Sequence, residues 1–267
     1  MCESGSSGRP APRSRRRHVL DDEPDILHAV APHQRALARQ AATAPVLLLE
    51  VGSAPLQEWF AEPLGGPGLL VLQGTLAREV TVGGRTATEL LGPGDMLRPW
   101  DVRAGEPVPS GIEWLVLTTT QLALLDRVFA ERTRAWPPIA DAFMARLARR
   151  AQAIAVQRAI ASHPRVDMRV ALLLWHLAGR WGTVQRDREV RFTLPLTHKL
   201  LGELVSAERP TVSHALGRLS RAGLLRRCGA EWYLRGTPED HAAVACQPLP
   251  PRRVSAHTAA VAASARR

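Results

Sequence analysis

The stretch SAERPTVSHALGRLSRAG, Ser206–Gly223, places a guanidinium, two hydroxyls and an imidazole close together, on Arg209, Thr211, Ser213 and His214. Val212, Ala215, Leu216 and Leu219 recur between them at helical spacing and form an apolar stripe. Pro210 fits the first turn of a helix, where its missing N–H is not needed. A helix with hydrogen-bonding side chains at its N-terminal end and an apolar opposite face is suited to entering a groove of DNA while its back packs on a domain.

Such a helix needs a platform. Thr197 is placed to cap a preceding helix, HKLLGELV, whose Leu200, Leu201, Leu204 and Val205 face inward. Ser206 and Ala207 form a short break. Two short helices joined this tightly read as a helix-turn-helix, the second helix entering the major groove. Gly223 ends that helix. LLRR, from Leu224 to Arg227, and EWYLRG, from Glu231 to Gly236, then read as two strands around CGA, with Gly229 in the turn. This is a β-hairpin wing. The predicted DNA contacts are Thr197, His198, Arg209, Pro210, Thr211, Ser213, His214 and Arg218, with Arg226 and Arg227 on the wing near the phosphates.

The chain has 267 residues and a formal net charge of +10, which favours a polyanionic partner, although part of that charge lies in RPAPRSRRR near the N-terminus. The three cysteines, Cys2, Cys228 and Cys246, are far apart and form no CxxC pair. They support neither a disulfide framework nor a zinc knuckle, and a reducing cytoplasm fits. No apolar run reaches membrane-spanning length and no signal peptide is read, so a cytoplasmic protein without membrane contact is expected. No cofactor and no metal site are expected.

Along the chain, residues 1–20 read as a disordered basic segment. Residues 21–127 hold a helical lead-in, interrupted at Pro32, and then short β-rich runs: VLLLEV, GLLVLQG, LAREVTV, TATELL and IEWLVLTT. Glycine turns at Gly83–Gly84 and in GPGD, from Gly92 to Asp95, separate several of them, which argues for an all-β roll or jelly roll. Residues 128–163 carry a long helix opened by Pro137 and Pro138. Met144, Leu147, Ala151 and Ile154 recur along it as a seam, widened by Phe143. Packing on its own domain and pairing with a second copy both fit that seam. Residues 164–238 form the winged-helix domain, and residues 239–267 read as a flexible tail. The fold class is α+β.

LPLTHKLLGELVSAERPTVSHALGRLSRAGLLRR resembles the C-terminal winged helix of Crp/Fnr-type transcription regulators. The β-rich segment with GPGD, followed by a long helix, is similar to their cyclic-nucleotide-binding-like roll and dimerisation helix. The resemblance covers roughly residues 46–236 in the expected order. It implies a homodimer on two-fold symmetric double-stranded promoter DNA, with RNA polymerase and an unknown small-molecule effector, or none, as further partners. Members that read guanine use an Arg-Glu pair at the start of the recognition helix and a second Arg one turn later. Here Arg209 keeps the first Arg, Pro210 replaces the Glu and His214 the second Arg. Thr211 and Ser213 are expected on phosphate or base edges and His214 in the groove. The bases read therefore differ from those of the better known members.

The family's cyclic-nucleotide cassette has a Gly-Glu pair followed by an Arg for the phosphate. Gly105 and Glu106 are present, but no Lys or Arg follows until Arg127, and Pro107 and Pro109 remove two backbone donors. RTA at Arg85–Ala87 precedes GPGD and reads as part of an exposed turn. A cAMP-responsive protein is therefore not expected. Cys2 alone on the N-terminal side cannot hold an iron–sulfur cluster, and nothing points to haem. The competing class is a cupin-like jelly roll, a small-molecule-binding protein or enzyme with an accessory helical domain. A cupin holds its metal mostly through histidines, and the chain has none between His33 and His163. His176 reads as a structural histidine on an apolar helix. An enzyme is not expected.

Overall fold

In the computed structural model, residues 15–60, 65–101, 108–185, 187 and 189–247 are described. The N-terminal part folds as expected into antiparallel β-structure, fed by alternating and continuous apolar runs. A strand β1, Arg16–His18, is followed by α1, Val19–Asp22, and α2, Pro24–Ala29. A 3-10 turn at Pro32–Gln34 leads into α3, Arg35–Ala41. The expected disorder of residues 1–20 is corrected for its described part. β1 pairs with the next strand through Arg16↔Pro45 and His18↔Thr43, and Val19 and Leu20 are fully buried. Two core side chains directly after the strand anchor this basic segment. Residues 1–14 lie outside the described residues.

β2, Thr43–Leu49, β3, Gly52–Ser53, and the short helix α4, Leu56–Trp59, follow. Then come β4, Gly68–Val82, β5, Arg85–Leu91, β6, Met96–Leu97, and β7, Ser110–Leu125. The sheet order is β1-β2-β7-β4-β5, with β3 on β7 and β6 on β4. Gly83 and Gly84, at φ 54° and 74°, make the β4–β5 turn that the sequence marks. GLLVLQG and LAREVTV, expected as separate strands, are one strand. Gly74 sits inside it at φ 92°, where the pairing with β7 shifts register. A Cβ there would fall 2.4 Å from Thr120 Oγ1, so only glycine allows the bulge. Before the bend β4 pairs with β6 and the end of β7, and after it with β5 and the start of β7. Leu69, Val71, Leu76, Leu91, Trp114 and Leu122 help fill the roll's interior.

α5, Arg127–Thr133, is capped by Asp126, whose carboxylate accepts from Phe129 N at 2.8 Å. α6, Pro137–Ala161, is the long helix. Its inner face buries Ile139, Phe143 and Ile160. The same face ties to the roll: Arg146 bonds Glu23, Asp25 and the Gly94 carbonyl, and Arg150 forks onto Glu89 at 2.7 and 2.8 Å. Of the seam residues, Leu147 is half-buried on its own domain, whereas Met144, Ala151 and Ile154 are exposed. Met144 is 65% exposed and Ile154, further along the helix, 41%.

The C-terminal part is built around α7, Val166–Trp181, which buries Met168, Val170, Leu173, Leu174 and Leu177. The strands β8, Thr183–Val184, and β9, Val190–Thr193, precede α8, His198–Val205, and α9, Arg209–Arg221. The wing strands are β10, Leu225–Cys228, and β11, Glu231–Leu234, in a sheet ordered β10-β11-β9-β8. The tail expected from residue 239 is corrected at its start: Pro238–Cys246 form a helix, α10, packed on α7 and α9. Thr237 and Asp240 close a reciprocal capping box at its start, and His241 is fully buried. Residues 248–267 lie outside the described residues. Ala77 and Leu90 of the roll share one apolar cluster with Leu200, Leu201 and Leu204 of α8, so the winged helix rests on the roll.

Candidate nucleic-acid interface

Thr197 caps α8 as expected, its hydroxyl accepting from Leu200 N at 3.1 Å. The break falls at Ser206, which adopts a left-handed φ of 53°. Gly202 makes the tight corner possible, because a Cβ there would lie 2.5 Å from the Ala207 carbonyl oxygen. α9 then starts at Arg209 with Pro210 in its first turn, and no side chain caps it. Val212, Ala215, Leu216 and Leu219 are all buried, whereas Arg209, Pro210, Thr211 and His214 are exposed on one end.

Ser213 is placed differently. Its hydroxyl is half-buried, donates to the Arg209 carbonyl at 2.9 Å and lies 2.7 Å from Nδ1 of His198. It joins α8 to the start of α9, so the expected contact of Ser213 with phosphate or base is corrected to an internal bond. His198 lies in a positive field. Burial, then Arg227, then Arg209 hold its imidazole below the ordinary histidine range.

The two wing arginines separate by strand alternation. Arg227 pairs across the hairpin with Trp232 and Arg226 with Tyr233, so they lie on opposite faces. Arg227 stands over the Trp232 ring at 4.6 Å on the inner face, and its Nε donates to the Gly229 carbonyl. Arg226 stacks on Tyr233 at 3.6 Å and bonds Glu189 at 3.1 Å. That carboxylate also accepts from Arg235 Nε at 2.9 Å and is only 6% exposed. Arg226, expected near phosphate, lies on the opposite face of the hairpin from Arg227 and shares the Glu189 carboxylate with Arg235. Arg218 is corrected as well. Its guanidinium is 10% exposed, bonds Asp167 at 2.6 Å, and donates to the carbonyls of Val244 and Gln247. It fastens α9 to α7 and α10.

Asp167 and Glu189 escape sequence reading. Asp167 lies in the first turn of α7, where an acidic residue reads simply as a dipole partner, and nothing in the spacing of Glu189 marks it. The capping box of α10 is legible in TPED, from Thr237 to Asp240.

Between the roll and α6 lies a crevice of about 150 Å³ lined by Arg78, Arg98, Trp114 and Arg150. Arg78 and Arg150 face Glu89, and Arg98 bonds Asp101 at 2.5 Å. Gly105 and Glu106 lie outside the described residues, and Arg85–Ala87 is exposed at the β4–β5 turn. Among the described residues no group of three or more His, Cys, Asp or Glu could hold a metal ion, and no helix is long and apolar enough to cross a membrane.

The helix pair, its left-handed break and the two-stranded wing define a winged helix-turn-helix carried on a β-roll. Residues 168–235 match the Crp-like helix-turn-helix domain. Over 176 residues the chain is 30% identical to a CRP-like cAMP-activated global transcriptional regulator of Mycobacterium tuberculosis, covering 62% of this chain and 75% of that one. A cyclic nucleotide-binding domain containing protein from Listeria monocytogenes has a similar fold, with TM-score 0.58 at 15% identity over 81% of this chain and 97% of that one. So does a CooA mutant from Carboxydothermus hydrogenoformans, with TM-score 0.57 at 14% identity over 90% of this chain and 100% of that one. The chain belongs to the Crp/Fnr family of transcriptional regulators.

Proposed function

We propose that the protein acts in the cytoplasm as a homodimer on palindromic promoter DNA, and that cAMP is not its effector. One observation carries the DNA reading: the first turns of α9 present Arg209, Pro210, Thr211 and His214 to solvent while its apolar stripe is buried. Arg209 reads a base edge, and Thr211 and His214 complete the groove contact. Arg227 meets phosphate from the inner face of the wing. Pairing through α6 is supported by the exposed Met144, Ala151 and Ile154 on a helix whose other face is anchored to the roll. The roll and α6 set the spacing of the two recognition helices, and a signal acts by shifting the population between spacings that fit or miss successive major grooves.

The case against cAMP rests on the cassette: no Lys or Arg follows Gly105 and Glu106 until Arg127, and Pro107 and Pro109 remove two backbone donors.

Selection of bound duplexes from a random pool tests the proposal. A palindromic consensus with half-sites about one helical turn apart is expected. Arg209→Ala should relax the preference at one position of each half-site by about 1–3 kcal/mol. Added cAMP should leave the affinity unchanged. An unenriched pool, or a preference untouched by Arg209→Ala, refutes the docking.

A further inference from the structure

We propose that His198 is a positioning residue for the recognition helix, and that its imidazole takes up a proton from water when a DNA phosphate docks between Arg209 and Arg227. The inference rests on the DNA reading above. Its basis is a two-step relay across the corner of the helix-turn-helix. The single hydroxyl proton of Ser213 goes to the Arg209 carbonyl at 2.9 Å. The Ser213 oxygen can then only accept from His198, so Nδ1 carries the hydrogen in the 2.7 Å contact. This chain fixes the rotation of α9 relative to α8 through the carbonyl of Arg209 itself. Nε2 is left bare as an acceptor.

A bare nitrogen cannot donate to phosphate, but a protonated one can. Burial lowers the proton affinity of the free ring, and the charged groups acting on it from the packed elements, Arg227 of β10 and Arg209 of α9, both cationic, lower it further. Its neighbour Lys199 pairs with Glu203 at 3.4 Å along α8. A phosphate between the two arginines cancels their repulsion and supplies an acceptor for Nε2–H. Nδ1–H stays on Ser213, so the relay survives protonation and the helix keeps its setting. The sign follows from linkage. Binding raises the affinity of His198 for a proton, so DNA binds more tightly as pH falls.

The test is anisotropy of a labelled duplex carrying the selected site, titrated with the full chain from pH 5.5 to 8.5 at constant ionic strength. Wild type should gain up to about tenfold in affinity per pH unit lost, per protomer, between the free and bound values of the histidine. His198→Gln should flatten this profile. His214→Gln, which removes the exposed histidine of α9, should weaken binding but keep the slope. Nitrogen NMR of the wild-type imidazole provides a reading independent of variant folding: Nε2 bare in the free chain and protonated in the complex at pH 7. Tight binding with a flat profile, a slope that persists in His198→Gln, or an Nε2 bare in the complex overturns the inference and leaves the DNA reading standing. Absence of duplex binding at every pH removes both.

Discussion

Arg218→Ala separates a fastening role from a DNA-contacting one. The guanidinium is 10% exposed and its partner Asp167 18%. It makes a 2.6 Å bond to that carboxylate and two bonds to carbonyls at the end of α10, at 2.5 Å to Val244 and 2.9 Å to Gln247. Removing one member of a buried ion pair costs about 3–5 kcal/mol, because the other charge is left uncompensated. Asp167 keeps Arg165 at 3.9 Å and its residual exposure lets water reach it, so at most the lower end, about 3 kcal/mol, is the expected loss. Urea denaturation followed by circular dichroism should show it as a lower midpoint at similar slope. Asp167→Asn in the Arg218→Ala background should cost little more, because the two side chains act as one unit. At a temperature where the variant is fully folded, its DNA affinity should stay within about twofold of wild type and its salt dependence should not change. An unchanged midpoint combined with weaker, less salt-sensitive DNA binding would refute the reasoning and restore Arg218 to the interface.

The wing makes a paired prediction. Arg227→Ala should weaken binding to all duplexes alike and reduce the salt slope by about one per wing, whereas Arg226→Ala should leave that slope unchanged, since Arg226 lies on the outer face against Glu189; anisotropy across a salt series reads both. Glu23 gives a pH prediction. Burial raises its carboxyl to about 7 against the pull of Arg146. The folded chain therefore holds this proton at pH values where the unfolded chain has released it, and stability falls as pH rises from about 4.5 to about 7, by at most ~1.4 kcal/mol per pH unit from this group. Glu23→Gln should flatten that part of the stability profile in urea titrations.

The recognition unit was legible because its signals are local. Thr197 at a cap, Pro210 in a first turn and Val212, Ala215, Leu216 and Leu219 at helical spacing each carry their meaning within a few residues. The roll is legible in class and in its β4–β5 turn, but the continuity of β4 through its bend is not. Gly74 looks like any turn glycine until Thr120, distant in sequence, is seen against it. The functions of Arg218, Arg226 and Ser213 could not be read for the same reason. Each is decided by a partner distant in sequence: Asp167, Glu189 and His198. An arginine on an outward helical position or a wing strand looks free until its carboxylate is located. α10 could have been found from TPED, but its alanine-rich run without a sustained period hid the helix. Much of its burial comes from His241 and Ala245 against α7 and α9.

α8 and α10 both begin with a threonine that satisfies an amide of the first turn, while α9 begins with none. Among α8, α9 and α10, the helix proposed to enter the groove is the one that starts without a side-chain cap. A phosphate oxygen arriving there would do for α9 what Thr197 does for α8. The ligand would then supply the cap that the chain itself does not.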